Sequence, residues 1–395
     1  MKIAFLTTEY AHAKTPVYGG IGTFFKILAD ELIAKGNTVS IFVYGGKYNF
    51  DFEDGEIKIR VRKDFFRDNK IQNLVRSLSR RSPKFYSFYL KCFLNERKYV
   101  AKHFNNFIKD KNIDVIEVPD YGGYFYALDN KIPVNVRCHG TNTVLTKEFN
   151  YSFREPKDRA LNDSELLSFK NLNLNIITVS KYAGSLIEKY FKRSDYNVIY
   201  NGVNINKFTS TSKDIIKDSI FYFGTLSEEK GVGVLCENFN KVCENNGTAT
   251  LHIIGRREEY WQYLKENILT EKALERTTYY GIVDYNDLEK VLSKADMFVF
   301  PSRGENFPFV FLEAMSLQRP IIVNNIKPSY EIIEHGINGL ITKSDEDFYN
   351  LIMSVLENKV DVTKLANNAR NTVKENFIYN KMVDDTISFY KKTII

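Results

Sequence analysis

Two carboxylates, Glu305 and Glu313, stand at the edges of the apolar run RGENFPFVFLEAM (303–315). Acids so placed either cap and solvate a buried helix or grip hydroxyl groups in a cleft. If they grip, Glu305 belongs to the loop that opens the helix, and Glu313 follows one to two turns in. The apolar face between them then fixes their separation on a rigid element. A retaining hydrolase holds two acids about 5 Å apart across the bond it breaks. The spacing of loop and helix here does not by itself bring that about.

Lys230 lies in FGTLSEEKGV (223–232), beside a predicted helix start. That is a poor place for a cation unless it meets an anion such as a diphosphate. YGGIGTFF (18–25) is a second turn of this kind, because helix N-termini present unpaired N–H groups to phosphate. Gly20 and Gly22 match two glycines of the dinucleotide fingerprint, but Phe25 fills the third place. The turn also follows the first strand only after a long loop, which argues against a nicotinamide cofactor. The turn can equally serve the backbone alone, through a positive φ. His139 ends the strand-like NVRCHG, on the ligand side of such a sheet, and can equally be a structural histidine. No DxD follows a strand, and HxxxH, GxSxG and paired Cys/His signatures are absent. No metal site and no cofactor are therefore expected, and no nucleic-acid module is visible.

These residues need elements to hold them. Short apolar runs alternate with amphipathic ones: strands near 2–8, 38–44, 57–61, 113–119, 133–139, 175–180 and 196–201, then near 219–224, 248–255, 277–281, 295–301, 320–325 and 339–342. Continuous apolar strands spaced by helices predict parallel sheets covered on both faces. The polar stretch 202–217 breaks the pattern. The expected fold class is α/β, with two doubly wound, Rossmann-like domains, 1–205 and 206–377, facing a central cleft. The last helix, about 378–395, is expected to pack back on the first domain. DFEDGE (51–56) reads as a surface hairpin around a Gly turn.

A chain of 395 residues suits two domains. Its four cysteines form no CxxC pair, which suits a reducing cytoplasm. The first residues read as a strand rather than a signal segment, and no run is long enough to span a membrane. Net charge is +6, with Lys and Arg concentrated in 56–110 among aromatic clusters. That region reads either as helices with buried rings and solvated basic faces or as a surface for anionic lipid at the inner face of the plasma membrane.

In their order, GGIG, HG, YNGVN (200–204), GTLSEEKG, the E-x7-E pair Glu305/Glu313 and PSYEIIEHGINGLI (328–341) resemble the family-4 (GT4) retaining glycosyltransferases of the GT-B superfamily. The resemblance spans nearly the whole chain. It implies a nucleotide-sugar donor (UDP- or GDP-sugar) and a saccharide or lipid-linked saccharide acceptor, with a setting in bacterial surface polysaccharide or glycoconjugate synthesis. By the same resemblance, Lys230 contacts the donor diphosphate, Glu305 the transferred sugar, Glu313 the ribose, and His139 lies beside the sugar. Backbone groups of Asn306, Phe307, Pro308 and Phe309 border the sugar or phosphates, Gly20 to Gly22 meet the phosphate, and Ile282 and Val283 seat the base. The family's usual Arg in G-R-L-x-x-x-K-G is Thr225 here. Arg256, Arg257 or Arg303 is expected to supply the missing cation. Two other readings fit the same architecture: a non-catalytic partner subunit that activates another transferase, and a sugar-nucleotide epimerase.

Overall fold

Apolar runs without polar alternation need cover on both faces, and the strands they form are buried at nearly every position. The computed structural model describes the chain except residues 16–18, 65–69, 81, 130, 150, 152, 210–213, 285–286 and 395. Contacts divide it into two units, Met1–Tyr200 with Met382–Ile395, and Asn201–Lys381.

The first unit holds β1 (Lys2–Thr7), β2 (Thr38–Gly46), β3 (Phe50–Asp54), β4 (Ile57–Lys63), β5 (Val115–Pro119), β6 (Val134–Cys138), β7 (Leu174–Thr178) and β8 (Tyr196–Val198). Their order is β3-β4-β2-β1-β5-β6-β7-β8. All neighbours pair in parallel except β3 with β4. That antiparallel pair is the hairpin read in DFEDGE, turned at Gly55 with φ +58°. Its half-buried alternation marks an edge. The long basic region forms the helices Lys70–Ser79 and Pro83–Ile108. Tyr86, Tyr89, Phe93 and Phe104 of the second are buried, whereas Phe85 and Phe88 stay exposed. The rings therefore divide between core and solvent, following the helical period.

The helix Tyr379–Ile394 is tied to this sheet by a buried polar cluster. Arg137 Nε donates to Glu117 Oε1 at 2.7 Å, its Nη2 donates to Thr386 Oγ1 at 3.0 Å, and Tyr390 donates to Glu117. These bonds offset part of the cost of burying the charge pair, while Arg137 Nη1 is buried without a hydrogen-bond partner among the described residues.

The second unit holds β9 (Ser219–Phe223), β10 (Thr250–Ile254), β11 (Thr277–Gly281), β12 (Met297–Phe300), β13 (Ile321–Val323) and β14 (Leu340–Ile341). Their order, β11-β10-β9-β12-β13-β14, is parallel throughout. Counted within the unit this is 3-2-1-4-5-6, the order of dinucleotide-binding folds, which places the switch point between β9 and β12. Residues 201–205 sit with this unit because Val203 bridges Ile378, and a Cβ on Gly202 would lie 2.6 Å from Ile378 backbone. The turn YNGVN thus needs its glycine for space. Among the described residues no helix is long and apolar enough to cross a membrane.

Candidate active site

In sheets of this kind ligands bind outside the carboxyl ends of the strands at the switch point. In the second unit the loops there are 224–231, after β9, and 301–308, after β12. Glycine lets them close on each other. Gly231 has φ +68°, and a Cβ there would meet the Pro301 carbonyl oxygen at 2.1 Å. The Arg303 N–H donates to the Glu229 carbonyl at 2.9 Å. Lys230 and Glu305 are thereby brought together, with Nζ donating to Oε1 at 2.5 Å and both side chains half-buried. One cation and one carboxylate, fixed by laced backbones, face the place where a ligand enters.

The helix Phe309–Ser316 opens behind Pro308, and Glu313 lies in its second turn. Phe311 and Leu312 are fully buried and anchor that helix to the sheet. Phe307 is buried and packs on Phe377 with centroids 5.6 Å apart. Asn306 and Phe309 are half-buried. Burial pushes the Glu313 carboxyl up to about 7, against the pull of Lys207. Lys207 in turn is lowered by burial while Glu313 and Asp284 raise it. Sequence reasoning missed Lys207 because it lies in the polar linker, just past YNGVN, with no pattern of its own.

Gly255 closes a third loop onto the first, since a Cβ there would lie 1.8 Å from the Gly224 carbonyl oxygen. This brings Arg256 Nε to Thr225 Oγ1 at 3.1 Å. Arg303 leans on Asp345 at 3.4 Å and reaches Glu228 at 4.0 Å. Arg257 caps the helix Glu258–Asn267 in a left-handed conformation, φ +84°. Of the three arginines, Arg256 is the one hydrogen-bonded to Thr225. Ile282 protrudes at the end of β11, 80% exposed, and Val283 beside it is half-buried.

In the first unit His139 follows β6, half-buried, with Phe24 at 4.4 Å. Burial, then Arg137, holds it down at about 3, so it is neutral at ordinary pH. Its backbone is held by Asp120, which accepts the N–H groups of His139 and Gly140 at 3.1 to 3.2 Å. Burial, with Glu165 adding to it, pushes Asp120 up to about 8. Glu165 accepts from the N–H groups of Gly122, Asn142 and Thr143 and from the Thr143 hydroxyl. Neither acid was singled out in the sequence. Asp120 carries a signal in hindsight, an acid directly after an apolar strand and before Gly122-Gly123.

Gly20 and Gly22, read as a Gly-rich turn, instead lie inside the helix Gly20–Ala34, and neither has a positive φ. The N-terminus of this helix already holds an anion. Glu9 Oε2 accepts from Gly19 at 2.7 Å and from Gly22 at 3.4 Å. A phosphate at Gly20 to Gly22 must share or displace that carboxylate.

Residues 206–372 match the family model described as glycosyl transferases group 1, and residues 18–207 match Glycosyltransferase Family 4. An uncharacterised glycosyltransferase of Methanocaldococcus jannaschii is 25% identical over 99% of this chain and 98% of its own. A UDP-Gal:alpha-D-GlcNAc-diphosphoundecaprenol alpha-1,3-galactosyltransferase of Escherichia coli is 29% identical, over 53% of this chain and 57% of that protein. Among solved structures, sucrose-phosphate synthase from Thermosynechococcus elongatus superposes with TM-score 0.76 at 17% identity, covering 99% of both chains. Anabaena HepE in complex with UDP-glucose gives 0.66 at 16%, covering 98% of this chain and 99% of its own.

Proposed function

Because the chain belongs to the family-4 (GT4) glycosyltransferases and has their GT-B fold, we propose that it transfers a sugar from a UDP- or GDP-sugar, with retention, to a saccharide or lipid-linked saccharide. The observation that carries this reading is the Lys230–Glu305 pair at the β9/β12 switch point.

The chemistry follows from charge. The bond between the sugar C1 and the phosphate oxygen breaks, so the ring becomes oxocarbenium-like and the diphosphate gains negative charge. Lys230 meets the diphosphate. Glu305 accepts sugar hydroxyls beside the developing positive charge. Their mutual contact holds both in place until the donor inserts its phosphate and hydroxyls between them. Arg256 supplies the second cation that Thr225 does not, and these two cations let transfer proceed without a metal. Preorganised charges of this kind act without reorganisation at the moment of reaction. Backbone groups from Asn306 to Phe309 border the sugar, Glu313 takes the ribose, and Ile282 and Val283 seat the base. The acceptor oxygen bonds C1 on the face the phosphate leaves, and its proton passes to the departing phosphate oxygen. Arg256, hydrogen-bonded to Thr225, supports the catalytic reading over that of a non-catalytic partner subunit.

We place the enzyme at the cytoplasmic face of the membrane. Phe85, Phe88, Lys84 and Lys91 are exposed on one helix, a mixture that suits anionic lipid. Flotation with anionic vesicles is expected to carry the wild type and to leave Phe85→Ser/Phe88→Ser behind.

The transferase reading is tested by proton NMR of the product and by Glu305→Ala. The product keeps the donor's anomeric configuration. Glu305→Ala loses turnover by a hundredfold or more, about 3 kcal/mol of transition-state stabilisation. Activity is unchanged in EDTA. An inverted product, or wild-type turnover in Glu305→Ala, contradicts the reading.

A further inference from the structure

The first unit contains a cavity of about 430 Å³ that the roles above do not use. It opens at the carboxyl ends of β1, β2 and β4, where Thr8, Gly45 and Asp64 line it. That is the ligand side of this sheet, and the volume lies in the range of small-molecule sites.

Its floor is rigid and already satisfied. Glu96 accepts from Tyr44 at 2.9 Å and from Arg97. The Arg97 guanidinium stacks on Phe93 at 4.4 Å and Tyr124 at 4.5 Å and donates to the Gly122 carbonyl. Tyrosine rings at 89 and 121 wall the space and present flat surfaces. The half-buried carboxylate of Asp64 lies at the edge, only 3.4 Å from the Tyr44 hydroxyl.

The rim differs. Arg76 and Lys157 line the cavity, are exposed, and make no ion pair among the described residues. Residues 69–95 contain six Lys and Arg and no Asp or Glu; Asp64 and Glu96 also line the cavity, and with Glu96 paired to Arg97 the lining keeps Arg76 and Lys157 against the carboxylate of Asp64. Aromatic faces and a hydroxyl-accepting carboxylate suit a sugar ring. Two cations that outnumber the one carboxylate left beside them suit an anion, and a guanidinium with an ammonium suits phosphate oxygens.

We infer that this cavity is the acceptor seat and that the acceptor is a phosphorylated saccharide, its ring against Tyr89 and Tyr121 and its phosphate on Arg76 and Lys157. This rests on the transferase reading. The phosphate comes either from a lipid diphosphate or from a soluble sugar phosphate.

The test uses the full chain with its preferred sugar nucleotide and three acceptor sets: hexose 1-phosphates, decyl diphosphate hexoses and neutral decyl hexosides. Arg76→Gln/Lys157→Gln changes two exposed residues and keeps the fold. One phosphorylated set or both are expected to bind by calorimetry and accept sugar; which of them does so identifies the source of the phosphate. In the double variant their KM rises tenfold or more. Neutral acceptors, donor-induced thermal shift and acceptor-free donor hydrolysis are unchanged. Wild-type KM in the variant, an equal rise for neutral acceptors, or no binding by any phosphorylated set overturns the inference. A wild type that no sugar nucleotide stabilises would instead overturn the transferase reading.

Discussion

The two units share a sheet plan but build their functional surfaces differently. In the second, the site lies in short loops after adjacent strands, closed by glycines that no other residue can replace. Gly231 lies against Pro301, and Gly255 against Gly224. In the first, the cavity and its surroundings draw on Tyr44, Asp64, Glu96 and Lys157, which are distant in sequence. A site made of loop backbone leaves a compact sequence signature, whereas one assembled from scattered side chains does not.

The largest predicted effect tests the dispersed construction. Glu165→Ala leaves four buried donors without their acceptor and is expected to cost about 3–5 kcal/mol by chemical denaturation. A loss below about 1 kcal/mol would show that this framework does not depend on scattered polar contacts. Gly231→Ala tests the local construction. It forces a Cβ into φ +68° and against Pro301, and a loss of about 2–4 kcal/mol with donor binding abolished is expected. Retained donor affinity in that variant would separate the loop's closure from its function.

Arg256→Ala is expected to weaken donor binding about tenfold, roughly 1.4 kcal/mol, while Arg257→Ala and Arg303→Ala change it less. Calorimetry with the donor gives the ranking, and a larger effect from Arg303 would reassign the second cation. Glu313→Gln should have the smallest effect on the fold. The folded carboxyl is raised to about 7, above its ordinary 4.5. Its contribution to stability is therefore fully present below 4.5 and lost as pH rises through 7. Glu313→Gln should then raise Tm at pH 8, by about 1–2 kcal/mol in stability, and little at pH 4.5. Donor affinity in the wild type should fall as pH drops through 7, and this dependence should vanish in the variant. A pH limb that persists in Glu313→Gln assigns it to another group, and His139, already neutral there, is not that group.

This contrast also marks what could be read in advance. Each strand expected from an apolar run is present, because buried parallel strands have little freedom in composition. DFEDGE is a hairpin, and the rings of 83–108 follow the helical period with Phe85 and Phe88 outside. Phe65 and Phe66, also part of the basic region, fall outside the described residues. Lys230 and Glu305, singled out from loops at predicted helix starts, do come into contact, and Glu313 lies on the expected helix, in its second turn. Glu9 was not legible: its partners Gly19 and Gly22 lie ten or more residues away, and an acid in a loop carries no pattern. Asp120, Glu165 and Lys207 were invisible for the same reason, since burial and long-range contact give them their properties.

The claim on which the rest depends is that the β9/β12 loops hold a sugar nucleotide through Lys230. Thermal shift with UDP-, GDP- and ADP-sugars on the wild type and on Lys230→Met tests it directly. At least one donor should raise the wild-type Tm, as any ligand specific to the folded state does, and the same donor should leave Lys230→Met nearly unshifted. An equal shift in both proteins, or none in the wild type, would contradict the account.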